Sequence, residues 1–326
     1  MMNKEKLFAS LTFLMIVISL CMGCSLNDKN SIKSIEIKNE KVKSFDNFTF
    51  NGEKRLIHIT GVPKRAVICG NNAADTLLAL GADDCIEMIV LTEPIHVDQF
   101  KKRFPKAKVE VRPPAKEEML SIKPDLIVGP RRFFSDKVLG NPEFWGERKI
   151  AAYIQEGSGP IPTLANFPPC TIESEKQFIR NMGRIFDKEE SAGQYIEKID
   201  EELREARKLH KHPKVFAVEF IGRNIECFGE KLLIGDIVKN LNGEIISFEH
   251  PFLSKESLYF IDADVVFVIY HGGKEEEELA FKNVKASPLN RLPAVREGRL
   301  YSINYADIVG PGINLLRTIK YVKSKI

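Results

Sequence analysis

Between Lys188 and His212, the apolar residues Ala192, Tyr195, Ile196, Ile199, Leu203, Ala206 and Leu209 recur at steps of three and four. That spacing lays one apolar stripe along a helix. Asp200 with Arg204 and Lys198 with Glu202 form opposite-charge pairs one turn apart, and Pro213 stops the segment. At ~1.5 Å per residue the helix would reach roughly 35 Å, the width of a small domain. It reads either as a surface helix of a single domain or as a strut joining two lobes, and the flanking pattern favours the strut.

On the N-terminal side, Phe48 to Phe50 and Leu56 to Ile59 flank Asn51-Gly52 and predict an opening hairpin. Short apolar strands then follow at Ala66 to Cys69, Ile86 to Leu91, Val109 to Val111, Asp125 to Gly129 and Ile150 to Ile154. Helical stretches at Ala73 to Leu80, Val97 to Phe104 and Lys116 to Ser121 lie between them. After Pro213 the scheme returns with strand Val215 to Ile221, helix Leu232 to Leu241, helix Lys255 to Tyr259, strand Val265 to Tyr270, strand Leu300 to Ile303 and a final helix, Ile313 to Lys323. Such alternation predicts an α/β fold with parallel sheets covered by helices. The halves also match in detail. Glu117 stands eight positions before Asp125, and Glu256 eight before Asp264; each Asp opens a buried strand. Two similar lobes with a ligand cleft outside their strand ends are therefore expected.

The beginning of the chain is different. Lys4 and Lys6 precede an uncharged apolar run, Leu7 to Met22, ending at Gly23-Cys24. The run is short of the ~20 residues that cross a bilayer, and a basic flank suits a secretory signal. Its end resembles a bacterial lipobox, which makes Cys24 the acylated first residue of a membrane-anchored lipoprotein; an uncleaved anchor or simple secretion is the alternative. The expected layout is signal peptide 1–23, flexible tether 24–44, N-terminal lobe 45–187, connecting helix 188–212 and C-terminal lobe 213–326. The net charge of +3 is too balanced to suggest a nucleic-acid partner. Cys69, Cys85, Cys170 and Cys227 form no C-x-x-C pair and read as free thiols, with one disulfide left open. The motifs G-x-S-x-G, H-E-x-x-H, P-loop and G-x-G-x-x-G are all missing from the sequence, which argues against an exported α/β enzyme.

Several segments carry a resemblance over nearly the whole mature length: Pro63 to Ile68, Thr76 to Ala82, Ile122 to Val128, Leu233 to Val238, Ser254 to Leu258 and Leu292 to Tyr301. In this order, around a central helix, they resemble the substrate-binding lipoproteins of ABC importers for ferric siderophores, haem or cobalamin. The resemblance implies two Rossmann-like lobes joined by one long α-helix. It also implies a monomer at the outer face of the cell membrane, which carries an iron complex to an ABC permease and its ATPase and holds no tight cofactor. Glu117 and Glu256 fall where the family places its permease-docking acids; the bland reading is a solvated carboxylate at a helix start.

Candidate ligand contacts sit at strand ends. Asn71 follows the first strand of the N-terminal lobe, Arg131 and Arg132 follow the Asp125 strand, and Arg223 follows Val215 to Ile221. Arginine offers a permanent charge and a planar fork of donors suited to carboxylate or catecholate oxygens, although an arginine at such a place can simply face solvent. By resemblance, Arg131 and Arg223 are preferred. His271 ends the Val265 strand and Tyr305 follows Leu300 to Ile303. His250 and Tyr305 resemble the His and Tyr that complete iron coordination in some catecholate-siderophore binders, and the same donors can ligate haem iron axially. A Fe(III)-siderophore is the expected ligand, with haem as the alternative; cobalamin, being uncharged, has less use for the arginines.

Overall fold

The computed structural model describes residues 41–93, 97–158, 169–206 and 212–326. Strands β1 (Val42–Phe48) and β2 (Lys54–Thr60) pair antiparallel, Val42 opposite Thr60 and Phe48 opposite Lys54. The first strand starts inside the stretch expected as tether, for a reason visible in its contacts. Phe45 and Asn47 are buried, and Asn47 exchanges hydrogen bonds of 2.8 and 2.9 Å with the backbone of Ile154.

Strands β3 (Ala66–Cys69), β4 (Ile86–Val90), β5 (Lys108–Glu110), β6 (Leu126–Gly129) and β7 (Ala151–Ile154) form a parallel sheet in the order β5-β4-β3-β6-β7. The continuous apolar runs of β3, β6 and β7 suit strands covered on both faces. The segments between them include helices α1 (Asn71–Leu80), α2 (Val97–Arg103), α3 (Lys116–Ile122) and α4 (Pro142–Gly146). Next come α5 (Ile172–Ile185) and α6 (Glu189–Ala206). Helix α6 is the amphipathic segment expected as the strut; the expected continuation to His212 passes through residues outside the described ones. Helix α5 was not expected. It is set by a Thr171/Ser174 capping box and a buried face of Ile172, Phe178, Ile179, Met182 and Ile185.

The second sheet contains β8 (Lys214–Ile221), β9 (Asn224–Cys227), β10 (Glu244–Ile245), β11 (Phe252–Leu253), β12 (Val265–Tyr270) and β13 (Leu300–Asn304), ordered β11-β9-β8-β12-β13 with β10 beside β8. It is mixed where a wholly parallel sheet was expected, because Gly222, at φ 61°, turns β8 directly back into antiparallel β9. Helices α7 (Leu233–Asn240), α8 (Lys274–Lys285), α9 (Pro293–Arg296), α10 (Tyr305–Ile308) and α11 (Leu315–Lys323) complete the chain.

The internal repeat has a physical cause. Asp125 accepts the backbone N–H groups of Lys64 (2.6 Å) and Arg65 (3.1 Å) just before β3, and Asp264 accepts that of Lys214 (2.8 Å) at the start of β8. Each carboxylate ties the entry of one strand to its neighbour in the sheet. One face of both sheets drains into a single apolar core containing Ile68, Leu77, Phe178, Ile199, Ile237, Phe267 and Ile319. Helices α1, α5, α6, α7 and α11 supply that core, so α6 is packed among others rather than crossing open space. The remaining faces hold separate cores, around Trp145 and around Phe216.

Candidate functional site

A cavity of about 110 Å³ opens where six strands end. Gly70, Asn71 and Asn72 follow β3, Thr92 and Glu93 follow β4, and Pro130 and Arg132 follow β6. Gln155 and Ser158 follow β7, His271 follows β12, and Tyr305 and Gly310 follow β13. Carboxyl ends of parallel strands collect loops with free backbone groups, which is why ligands gather there in open α/β sheets.

The floor of the cavity is a polar seam between the first sheet and the loop after β13. Asn72 Nδ2 donates to the carbonyls of Ala306 (2.7 Å) and Gly310 (3.1 Å), and Gln155 Nε2 donates to Gly310 O at 2.9 Å. The N–H of Ile313 donates to Thr76 Oγ1 at 3.1 Å, and that of Gly312 to Glu175 Oε2 at 2.8 Å. Gly312 has φ 54°, and a Cβ there would lie 2.4 Å from Thr76 Oγ1, so only glycine permits this approach. Under the seam, burial raises the carboxyl of Glu175 to about 8 and that of Glu156 to about 7. Glu156 Oε1 accepts from Tyr153 Oη and from Asn181 Nδ2, while Glu175 Oε1 finds no hydrogen-bond partner among the described residues.

The wall on the side of the second sheet is aromatic, His271 and Tyr305, with acidic residues against His271 outside the lining. His271 stacks on Tyr305 with ring centroids 4.2 Å apart, and Phe228 meets Tyr305 edge-on at 6.2 Å. His271 Nε2 lies 3.0 Å from Glu219 Oε1, and Glu219 is the cross-strand partner of Glu226. Burial, then the charge of Glu219, raises the Glu226 carboxyl above its ordinary value. Burial also raises the Tyr305 phenol, against the opposing pull of the Arg132 charge, so Tyr305 is a neutral hydroxyl at physiological pH. Across the cavity, the Arg132 guanidinium lies 5.6 Å from the Phe133 ring on an exposed side chain.

The expected site residues separate into two groups. Asn71, Arg132, His271 and Tyr305 line one cavity. Asn71 serves partly as a brace, its Oδ1 accepting the N–H of Thr92 at 2.9 Å. Arg131 is 4% exposed and turns inward, donating to Phe50 O at 3.1 Å and stacking over the Phe50 ring; burial lowers its pKa. Arg223 occupies the exposed turn between β8 and β9, outside the lining. His250 lies in the exposed loop between β10 and β11 and is not brought to the cavity that Tyr305 lines; His271 takes the place beside that ring. Glu117 and Glu256 are exposed on α3 and on the 3₁₀ turn Glu256–Phe260. Hydrogen bonds from its own backbone N–H and from Ser254 hold the Glu256 carboxyl below its usual value. Cys24 lies outside the described residues.

Sequence reasoning missed Gln155, Thr92, Glu219 and Glu226. Strand acids alternating with apolar residues look like a solvent face, and only the β8–β9 hairpin brings the two glutamates together. Among the described residues, no group of three His, Cys, Asp or Glu side chains is arranged to hold a metal ion, and all four cysteines are free thiols. No helix among them is long and apolar enough to cross a membrane.

Comparison with known proteins agrees with this geometry. The family model described as periplasmic binding protein matches residues 67–305. The petrobactin-binding protein YclQ of Bacillus subtilis (strain 168) is 26% identical over 339 residues, 96% of this chain and 97% of YclQ. A periplasmic binding protein from Veillonella parvula DSM 2008 is 27% identical, with a TM-score of 0.76 over 87% of this chain and 91% of that one. The periplasmic haem-binding protein HutB of Vibrio cholerae, 19% identical, shares the fold with a TM-score of 0.61 over 80% of this chain and 97% of its own. Two sheets joined in one core, a polar cavity at their carboxyl ends and the family match lead to one conclusion: the chain belongs to the periplasmic binding protein family, the non-enzymatic substrate-binding components of ABC importers for siderophore-, haem- and cobalamin-type ligands.

Proposed function

We propose that this protein captures a ferric siderophore outside the cell and delivers it to an ABC permease. The observation that carries the reading is the chemistry of the lining. Arg132 and Tyr305 offer a charged fork and a hydroxyl to anionic and carbonyl oxygens, while Asn72, Thr92 and Ser158 give their side-chain protons to protein acceptors and so fix the shape of the site. Apart from the stacked His271 and Tyr305 rings, the apolar lining consists of small groups such as Ala73, Pro130, Ala306 and Val309, less than the two faces of a macrocycle such as haem call for. Similarity to YclQ supports the same choice. Charges of both signs, Arg132 on one side and Glu219 and Glu226 on the other, act on the Tyr305 hydroxyl, so the favoured complex carries mixed rather than uniformly negative charge. The layout of signal peptide 1–23, tether 24–44, lobes 45–187 and 213–326 and connecting helix 188–212, with Cys24 lipidated and the protein monomeric, belongs to the same proposal.

Glu117 and Glu256 would orient the protein on basic side chains of the permease. Reversing both charges should abolish uptake of the iron complex while leaving its binding intact; undiminished uptake would remove that role. Calorimetric titration with ferric catecholate, ferric hydroxamate and haem tests the ligand class. Saturable binding of a ferric siderophore is expected, and a Soret band on haem addition without siderophore binding would assign the protein to haem instead.

A further inference from the structure

We propose that the exposed aromatic pair Tyr259 and Phe260 is the apolar anchor by which the second half of the molecule grips its permease. The inference rests on the docking role proposed for Glu256 and adds to it a second, chemically different contact. Phe260 is 86% exposed, the highest value for any large apolar side chain among the described residues, and Tyr259 is 56% exposed. Their neighbours Leu258 and Ile261 are 1% and 6% exposed, so the turn has inward places for apolar groups and still presents two aromatics outward. Contiguous apolar surface of this kind marks interaction sites, and aromatic residues dominate binding energy where a partner excludes water from them.

The equivalent place in the first half repeats the arrangement. Met119, two positions after Glu117, is buried, and Leu120, three positions after it, is 37% exposed. Leu258 and Tyr259 stand in the same order after Glu256. A carboxylate, an inward apolar side chain and an outward one, Leu120 or Tyr259, therefore recur on both halves, which suits a partner that contacts both. Phe260 is added on the second half alone, where the first half has Ser121. The charge alongside selects its chemistry. Glu256 is exposed and held ionised, and the Arg291 guanidinium lies 5.2 Å from the Tyr259 ring centroid, so charges of both signs border an apolar tip that ends in Phe260. A permease offering a basic side chain to Glu256 and an apolar recess to Phe260 fits this surface, and the importer's permease is the partner family members serve. The second half carries the larger anchor and makes the stronger contact.

The two contacts respond differently to salt. Attraction through Glu117 and Glu256 fades as ionic strength rises, whereas burial of Phe260 does not. The test is binding of full-length protein to the permease–ATPase complex in nanodiscs at low and high salt, for wild type, Phe260→Ser, Leu120→Ser and the Glu117→Arg/Glu256→Arg double variant. Melting temperature and ferric-siderophore titration accompany each protein, to show that fold and cavity are intact. Phe260→Ser should weaken permease binding by about tenfold or more at both salt concentrations, mainly by faster dissociation, and Leu120→Ser by a smaller factor. The double charge variant should lose affinity at low salt alone. Wild-type affinity for Phe260→Ser would overturn the anchor while leaving the docking acids standing. Failure of the charge variant alone would remove the acids while leaving the anchor. A change in the sedimentation of Phe260→Ser without permease would show the patch to be a contact between two copies, and would overturn the inference.

Discussion

Replacing Glu175 by glutamine should flatten the pH dependence of stability. The carboxyl lies fully buried under the cavity floor, accepts the Gly312 N–H at 2.8 Å, and is raised from 4.5 to about 8, first by burial. The folded chain therefore keeps a proton that the unfolded chain releases. The stabilisation linked to that proton is fully present below pH 4.5 and is lost as pH rises through about 8. Each pH unit inside the window costs about 1.4 kcal/mol, so the interval from roughly pH 5 to 7 removes about 2.5 kcal/mol. Glutamine can still accept from Gly312 but cannot titrate. Urea unfolding at pH 5, 6 and 7 reads the result as a slope, so any constant cost of the amide cancels. The Glu175→Gln variant should lose stability with pH by close to one proton less than wild type. Glu156, raised to about 7 by burial, contributes the same sign in both proteins. Parallel slopes would show that Glu175 is ionised in the folded protein, and the reasoning from burial would fail.

Other outcomes follow from the same contacts. A Cβ at Gly157 would lie 1.4 Å from Glu175 Oε1, so Gly157→Ala should push that side chain off Gly312 and cost about 3 kcal/mol in urea unfolding. Asp125→Ala and Asp264→Ala each strip acceptors from backbone N–H groups at a strand entry. Each should cost about 1–2 kcal/mol, and the double variant close to their sum, since they serve different sheets. A double-variant cost well below the sum would mean that the repeat is not structurally independent. Tyr305→Phe removes one hydroxyl donor while keeping the ring on His271, and should weaken ferric-siderophore binding by roughly tenfold without altering melting.

Much of the fold was legible because buried parallel strands announce themselves. Ala66 to Cys69, Leu126 to Gly129 and Val265 to Tyr270 are uninterrupted apolar runs, and Gly81, with φ 72°, closes α1 where a helix stop was expected. The Glu117/Asp125 and Glu256/Asp264 repeat was readable for a similar reason, since a carboxylate that ties a strand entry has to recur wherever the unit recurs. Helix α5 was harder. Two polar residues interrupt its buried face: Glu175, which accepts the Gly312 N–H of the seam, and Asn181, which donates to Tyr153 and Glu156 beneath it. Which of two adjacent arginines faces the cavity was not readable either. Arg131 and Arg132 differ only in direction, and Phe50, far away in sequence, claims the first. The seam itself joins Asn72 to Ala306, a pairing with no local signal in the chain.

The most direct measurement is calorimetric titration of a ferric siderophore into wild-type protein and Arg132→Ala. Arg132 is the arginine that lines the cavity among the described residues, and removing its charge-assisted donors should cost about 1.5–3 kcal/mol, a tenfold to hundredfold loss of affinity. Saturable binding that weakens in this way, with unchanged melting, is the expected result. Equal affinity in the two proteins, or no binding of any ferric complex by the wild type, would contradict ferric-siderophore capture in this cavity.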